Sequence, residues 1–159
     1  RTILMFESRL EKRNITLEGL DSEPVQVWGD PDLIGQVIYN LFENATKFVN
    51  TGGTITFTFK DEPNSTSIAI RNTGAGISKE ELPKIFERFY KSDDSRSHDK
   101  TGLGIGLDIT KHIVRLHKAQ ISVSSEEGEY TEFLIRLPKK DAPAESPTEN
   151  PEKQPKDAR

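Results

Sequence analysis

The chain has 159 residues, 33% of them hydrophobic and 30% charged, with a formal net charge of −4 and no cysteine. That length supports one domain with its own core, the acidic balance argues against a phosphate-gripping nucleic-acid binder, and the lack of cysteine excludes disulfides and thiolate metal sites. No apolar run is long enough to span a bilayer, no signal peptide opens the chain, and Arg1 in place of methionine suggests a piece of something longer.

Residues 1–13 read as the end of a helix, with Ile3, Phe6 and Leu10 at helical spacing. The stretches 14–20 and 24–30 are short strand candidates. Asp30-Pro31 then supplies a capping carboxylate followed by proline at the first helical position, so a helix is expected from 30 to about Val49. Its apolar side is Leu33, Val37, Leu41, Ala45 and Phe48, with Ile34 and Ile38 beside them; Gln36, Asn40, Glu43, Asn44 and Lys47 form a separate polar stripe. "GTITFTFKD", residues 53–61, alternates and puts Ile55, Phe57 and Phe59 on one face, and "NSTSIAIRN", residues 64–72, completes a hairpin after the turn at "DEPN".

A loop broken by Gly74 and Gly76 leads to a short helical stretch at 78–90 and then to the polar segment 91–101. From Leu103 to about His117 a helix is expected, with Leu103, Leu107 and Val114 on one flank and Ile109, Ile113 and Leu116 on the other, hence packed on more than one side. A second hairpin at 119–138 turns at Gly128. Residues 139–159 repeat proline every fourth position among charges and are expected to be disordered. There is no internal repeat.

Two features carry chemistry. Two asparagines in mid-helix are poor choices for propensity alone, each several tenths of a kcal/mol worse than alanine. Amide oxygens at positions 40 and 44 share one face and suit a hard cation such as Mg²⁺, although a solvated polar face is the plainer alternative. Gly102, Gly104 and Gly106 fall at every second position without the spacing of a dinucleotide or P-loop motif. They offer backbone N–H groups at a helix start, where a polyphosphate is the natural occupant. His98 with Asp93, Asp94 and Asp99 reads more readily as a solvated loop than as a metal site, and His112 and His117 read as structural.

In order, the stripe Asn40, Asn44-Ala45, Lys47, then "NTGAGI", "IFERFY" and "GLGIGL" resemble the N, G1, F and G2 boxes of sensor histidine kinases, over roughly residues 1–138. The resemblance implies an α/β fold, the two-layer Bergerat ATP-binding sandwich, with a mixed, mostly antiparallel sheet, helices on one face and an ATP lid at 78–101. Gyrase-type ATPases, heat-shock chaperones and mismatch-repair ATPases share that fold. It implies that Asn44 ligands Mg²⁺, that Asn40 sits beside it near the phosphates, and that Lys47 touches the phosphates. Asn72 would read the adenine amino group, while Gly74, Gly76 and Ile77 pass close to the base. Phe86, Phe89 and Tyr90 would anchor the lid, Lys91 would reach the γ-phosphate, and Thr101, Gly102, Leu103, Gly104 and Gly106 would cradle the phosphates. Asn40, Lys47 and Lys91 are the implied catalytic residues.

The implied activity is transfer of the ATP γ-phosphoryl to a histidine on a separate dimerisation domain, for relay to a response regulator. The fragment would be a monomer, its parent a homodimeric membrane receptor with this domain in the cytoplasm. Two departures stand out: Asn72 replaces the usual aspartate, and the acceptor-histidine motif is absent. A free-standing ATPase of the same fold is disfavoured, because it has a glutamate base where Asn40 stands and an amide cannot take a proton from water. A nucleotide-binding regulatory module without phosphotransfer stays open because of Asn72.

Overall fold

The computed structural model describes residues 3–86 and 105–140. Five strands form one sheet, β1 (Thr16–Glu18), β2 (Thr54–Asp61), β3 (Ser65–Thr73), β4 (Gln120–Glu126) and β5 (Tyr130–Pro138), in the order β1-β2-β3-β5-β4. β1 pairs parallel with β2 and every other pairing is antiparallel, so the sheet is mixed and mostly antiparallel, as expected. Among the described residues three helices accompany it: α1 (Glu7–Lys12), which follows a 3₁₀ turn at Ile3–Phe6, α2 (Pro31–Phe48) and α3 (Ile105–Leu116). No helix among the described residues is long and apolar enough to cross a membrane.

Strand alternation decides which face the helices cover. Ile55 and Phe57 of β2, Ile68 and Ile70 of β3, and Phe133, Ile135 and Leu137 of β5 point to one side and are buried there. The other side carries Thr58, Lys60, Arg71 and Glu132, with Arg71 paired to Glu132 at 3.0 Å and lying 3.9 Å over the Tyr130 ring. Ser65 and Ser67 of β3 are buried on that second side as well, because both hydroxyls donate to Glu62 (2.8 and 3.2 Å). Those two bonds, led by Ser65, hold the Glu62 carboxyl below its ordinary range, with Arg136 and Lys60 adding to the effect.

Helix α2 starts where its cap requires. The Asp30 carboxylate accepts from the N–H groups of Asp32 (2.9 Å) and Leu33 (3.1 Å), and Pro31 follows at the first position. At the far end Arg13 donates to the carbonyls of Thr46 (2.6 Å) and Val49, placing a cation on the helix C-terminus. The buried set is Val37, Leu41, Phe42, Ala45 and Thr46, while Leu33 and Phe48 are exposed. The stripe is rotated from the expected one because α1 packs beside it. Phe42 lies between Phe6 (5.2 Å, edge-on) and Phe57 (5.5 Å), tying the 3₁₀ turn ahead of α1, α2 and the sheet together.

Other expectations need correction. Residues 24–30 form no strand. They cross the helix side of the sheet, where the Thr66 hydroxyl donates to the Gln26 carbonyl (2.7 Å) and the Asp30 N–H donates to His117 Nε2 (3.1 Å). α3 packs on one side only: Thr110, Ile113 and Val114 are buried, whereas Ile109 and Leu116 are 42% and 63% exposed. The described part of the stretch 78–90 holds one 3₁₀ turn, Leu82–Lys84, because Pro83 restricts the residue before it and cannot extend a regular helix. The segment 91–101, Leu103, the His98 cluster and the tail beyond residue 140 lie outside the described residues.

Phe42→Ala should cost about 3–5 kcal/mol of stability, since it empties the junction of three elements. Urea unfolding followed by circular dichroism would show a lower midpoint with little change in slope.

Candidate functional site

The polar stripe of α2 faces two ways. Asn40 is half-buried and turned towards α3: its Nδ2 donates to Thr110 Oγ1 at 3.2 Å, and its Oδ1 accepts from Gln36 Nε2 at 2.8 Å. One turn on, Asn44 is half-buried on the same side of the helix, and Lys47 stands 3.9 Å from Glu43 in an i,i+4 pair. Such a largely exposed pair contributes little to stability.

Asn72 has a different setting. It follows Ile68 and Ile70 on the core-facing side of β3 and is 4% exposed. Directly opposite on β5 stands Thr131, 6% exposed and in register with it. A buried polar pair therefore stands at one end of a row whose middle, Ile68 and Ile70 with Phe133 and Ile135, is apolar. The Asn72 Nδ2 donates to the Thr73 carbonyl at 3.0 Å. Thr131 was not singled out from sequence, because only the β3–β5 register sets it beside Asn72.

The end of β3 meets the end of α2. Val49 and Gly74 form an isolated antiparallel bridge, and the Asn50 N–H donates to the Thr73 carbonyl at 3.3 Å. Beyond Thr73, the loop is fastened to the β4–β5 hairpin. The Gly74 N–H donates to the Glu129 carbonyl (3.2 Å), the Gly128 N–H to Ala75 (2.6 Å) and the Ile77 N–H to Ser125 Oγ (2.7 Å). Gly74 (φ +148°) and Gly76 (φ +70°) both occupy backbone regions that L side chains avoid. A Cβ on Gly74 would strike the Phe48 carbonyl, and one on Gly76 the Glu126 carbonyl. Close packing of chain on chain is thus a sufficient reason for both glycines.

So the fold brings Asn72, Gly74, Gly76 and Ile77 up to the C-terminal half of α2, where Asn44 and Lys47 lie, and links Asn40 to α3. Gly106 is in the first turn of α3. Phe86 rests edge-on against Phe133 at 6.1 Å, with Ile85 buried beside it. Phe89, Tyr90, Lys91, Thr101, Gly102, Leu103 and Gly104 lie outside the described residues.

The family model described as histidine kinase-, DNA gyrase B-, and HSP90-like ATPase matches residues 29–141. The chain belongs to this family. Among curated proteins it is 41% identical over 115 residues to the sensor protein SrrB of Staphylococcus aureus, an alignment covering 72% of this chain and 20% of SrrB. The chain thus spans about a fifth of the length of the curated relatives it matches. Among solved structures it resembles the nucleotide-free catalytic domain of histidine kinase ThkA, with a TM-score of 0.72 and 28% identity over 86% of this chain and 87% of that one. A mycobacterial sensor histidine kinase, MprB, superposes with a TM-score of 0.66 and 26% identity over 86% and 91% of the two chains. ThkA has also been solved in complex with the response regulator TrrA; that structure matches with a TM-score of 0.69 and 27% identity, covering 86% of this chain and 38% of that one. The sheet order and the helix layer are accordingly those of a histidine kinase catalytic domain.

Gly74→Ala should lower stability by about 1–3 kcal/mol with no nucleotide present, through backbone strain and the clash with Phe48. A thermal melt of the ligand-free protein measures it. A melt equal to wild type would mean that the glycine answers to a ligand and not to the chain.

Proposed function

We propose that this chain is the ATP-binding catalytic unit of a bacterial two-component sensor histidine kinase, donating the γ-phosphoryl of ATP to a histidine on a separate dimerisation domain of the same receptor. The observation that carries this reading is the buried pair Asn72 and Thr131 at the end of the apolar row of β3 and β5, beside the polar stripe of α2. A base needs that combination, an apolar surface for its ring and a few fixed polar atoms at its edge. Family membership and the likeness to sensor kinases support the rest.

In this proposal Asn72 accepts the adenine amino proton, and Gly74, Gly76 and Ile77 bring the loop alongside the base. Lys47 draws the phosphates to the C-terminal half of α2, and Asn40 holds them from the α3 side. The amide oxygens of Asn40 and Asn44 are hard donors one helical turn apart, which fits an oxygen-loving cation; Asn44 would hold Mg²⁺, which would offset charge on the transferring phosphoryl group. Asn40 has no base to offer a water, so the arrangement favours transfer to an imidazole that is already nucleophilic over hydrolysis. Phe89, Tyr90 and Lys91 from the lid, and Thr101, Gly102, Leu103, Gly104 and Gly106 around the phosphates, belong to the same proposal. The parent is a homodimeric membrane-bound receptor with this unit in the cytoplasm, and its phosphohistidine supplies a response regulator. Asn72 in place of aspartate favours a second reading, a weakly binding regulatory module that transfers little.

Asn44→Ala should weaken ATP binding in the presence of Mg²⁺ by about tenfold and leave Mg²⁺-free binding nearly unchanged, with the fold intact. Titration calorimetry with and without Mg²⁺ tests this, and unchanged affinity in both conditions would remove Asn44 from the site. Adding an acceptor-histidine domain then separates kinase from module by whether label from ATP appears on that histidine.

Asn72→Asp should tighten ATP binding. A charged acceptor bond is stronger than a neutral one by on the order of 1 kcal/mol, which is tenfold or somewhat less in affinity. Dissociation constants for ATP and GTP in both forms measure the change. An ATP constant that stays put or rises means that residue 72 does not read the base.

A further inference from the structure

Thr110 belongs to none of the motifs, yet it is 0% exposed in the interface between α2 and α3. Its buried neighbours on α3 are Ile113 and Val114, and valine would fill its place with the same shape. A hydroxyl buried there costs free energy unless it is bonded. Across the interface it accepts from Asn40, 70 residues away in sequence.

An asparagine amide has two ends of nearly equal shape and opposite hydrogen-bonding character, so half a turn about its last torsion exchanges donor and acceptor. In this structure both ends are held. Thr110 Oγ1 accepts from Nδ2 at 3.2 Å, and Gln36 Nε2 donates to Oδ1 at 2.8 Å. Gln36 is exposed on the same helix as Asn40, whereas Thr110 is buried on the neighbouring one. Of these two bonds the interhelical one is the one that water cannot readily replace, and it fixes the rotation of the amide on α2.

We infer that Thr110 is a positioning residue for the phosphate end of the nucleotide site, acting through Asn40. The inference rests on the role of Asn40 proposed above. α3 has Gly106 in its first turn and Thr110 one turn later, so a single rigid element connects the end of the glycine-rich stretch to the clamp on Asn40. A shift of that helix is felt directly at the Asn40 amide.

A double-mutant cycle on the whole chain tests this, with Mg-ATP and adenosine as separate probes in titration calorimetry. Thr110→Val should weaken Mg-ATP binding by roughly five- to tenfold, the effect of one lost hydrogen bond, and leave adenosine binding within twofold. Thr110→Ser, which keeps the hydroxyl, should bind Mg-ATP nearly as the parent does. In an Asn40→Ala background, Thr110→Val should add nothing further. Wild-type Mg-ATP affinity in Thr110→Val, equal losses for Mg-ATP and adenosine, or multiplying effects in the double mutant would each overturn the inference. If Asn40→Ala weakens Mg-ATP binding while Thr110→Val does not, the role of Thr110 falls alone. If Asn40→Ala has no effect, the role of Asn40 falls and that of Thr110 with it.

Discussion

Helix α2 must satisfy four neighbours at once, and the rest of the molecule is arranged around that requirement. Its buried residues Val37, Leu41, Phe42 and Ala45 sit on the sheet and on α1, its Asn40 bonds to α3, and its last carbonyls are held by Arg13. A helix presents a new direction every 100°, so these partners can coexist only if the rotation about the axis is fixed. The Asp30 cap and Pro31 fix where the first turn begins, and the Arg13 guanidinium fixes where the last turn ends. Sliding the helix by one residue would carry Phe42 away from Phe6 and Phe57, and would turn the amide stripe away from α3.

The sheet contributes a different kind of constraint. Because side chains alternate, a strand that covers the core also delivers its last inward position to whatever lies at the end of the core. On β3 that position is Asn72, and on the antiparallel β5 the first inward position, Thr131, lies opposite it. The pair is buried by the same geometry that buries Ile68 and Ile70, which makes it a polar end to the core and not an exposed polar patch. The adjoining loop keeps its course through bonds to the β4–β5 hairpin, so hairpin and loop are held as one unit. Gly74 and Gly76 are required by that closeness, and a base lying against the loop would inherit a surface already in place.

His117 shows how the helix layer is closed at its other end. Its Nδ1 lies 2.8 Å from the Ile113 carbonyl, to which it donates, leaving Nε2 free to accept the Asp30 N–H. One neutral ring thereby ties the C-terminus of α3 to the cap of α2. The two helices are joined at two places, by His117 with Asp30 and by Thr110 with Asn40. The stretch 24–30 is held over the helix side of the sheet by the same kind of bond, its Gln26 carbonyl accepting from Thr66 and its Asp30 N–H donating to His117.

By itself, the sequence determined what depends on local rules. The Asp30-Pro31 start, the alternation of 53–61 and 64–72, the Gly128 turn and the order of the four motifs all belong to short-range chemistry, and each is legible without coordinates. The family is legible for the same reason, because its motifs keep their order along the chain. Only the tertiary structure decided what depends on neighbours distant in sequence. It set the burial of Phe42 instead of Leu33 and Phe48, and it left one side of α3 open at Ile109 and Leu116. It also paired Thr131 with Asn72 and Thr110 with Asn40. Periodicity gives the faces of a helix or strand but not which face a partner will cover. That choice is made by packing among elements tens of residues apart, and it is where the polar groups of the candidate site found their companions.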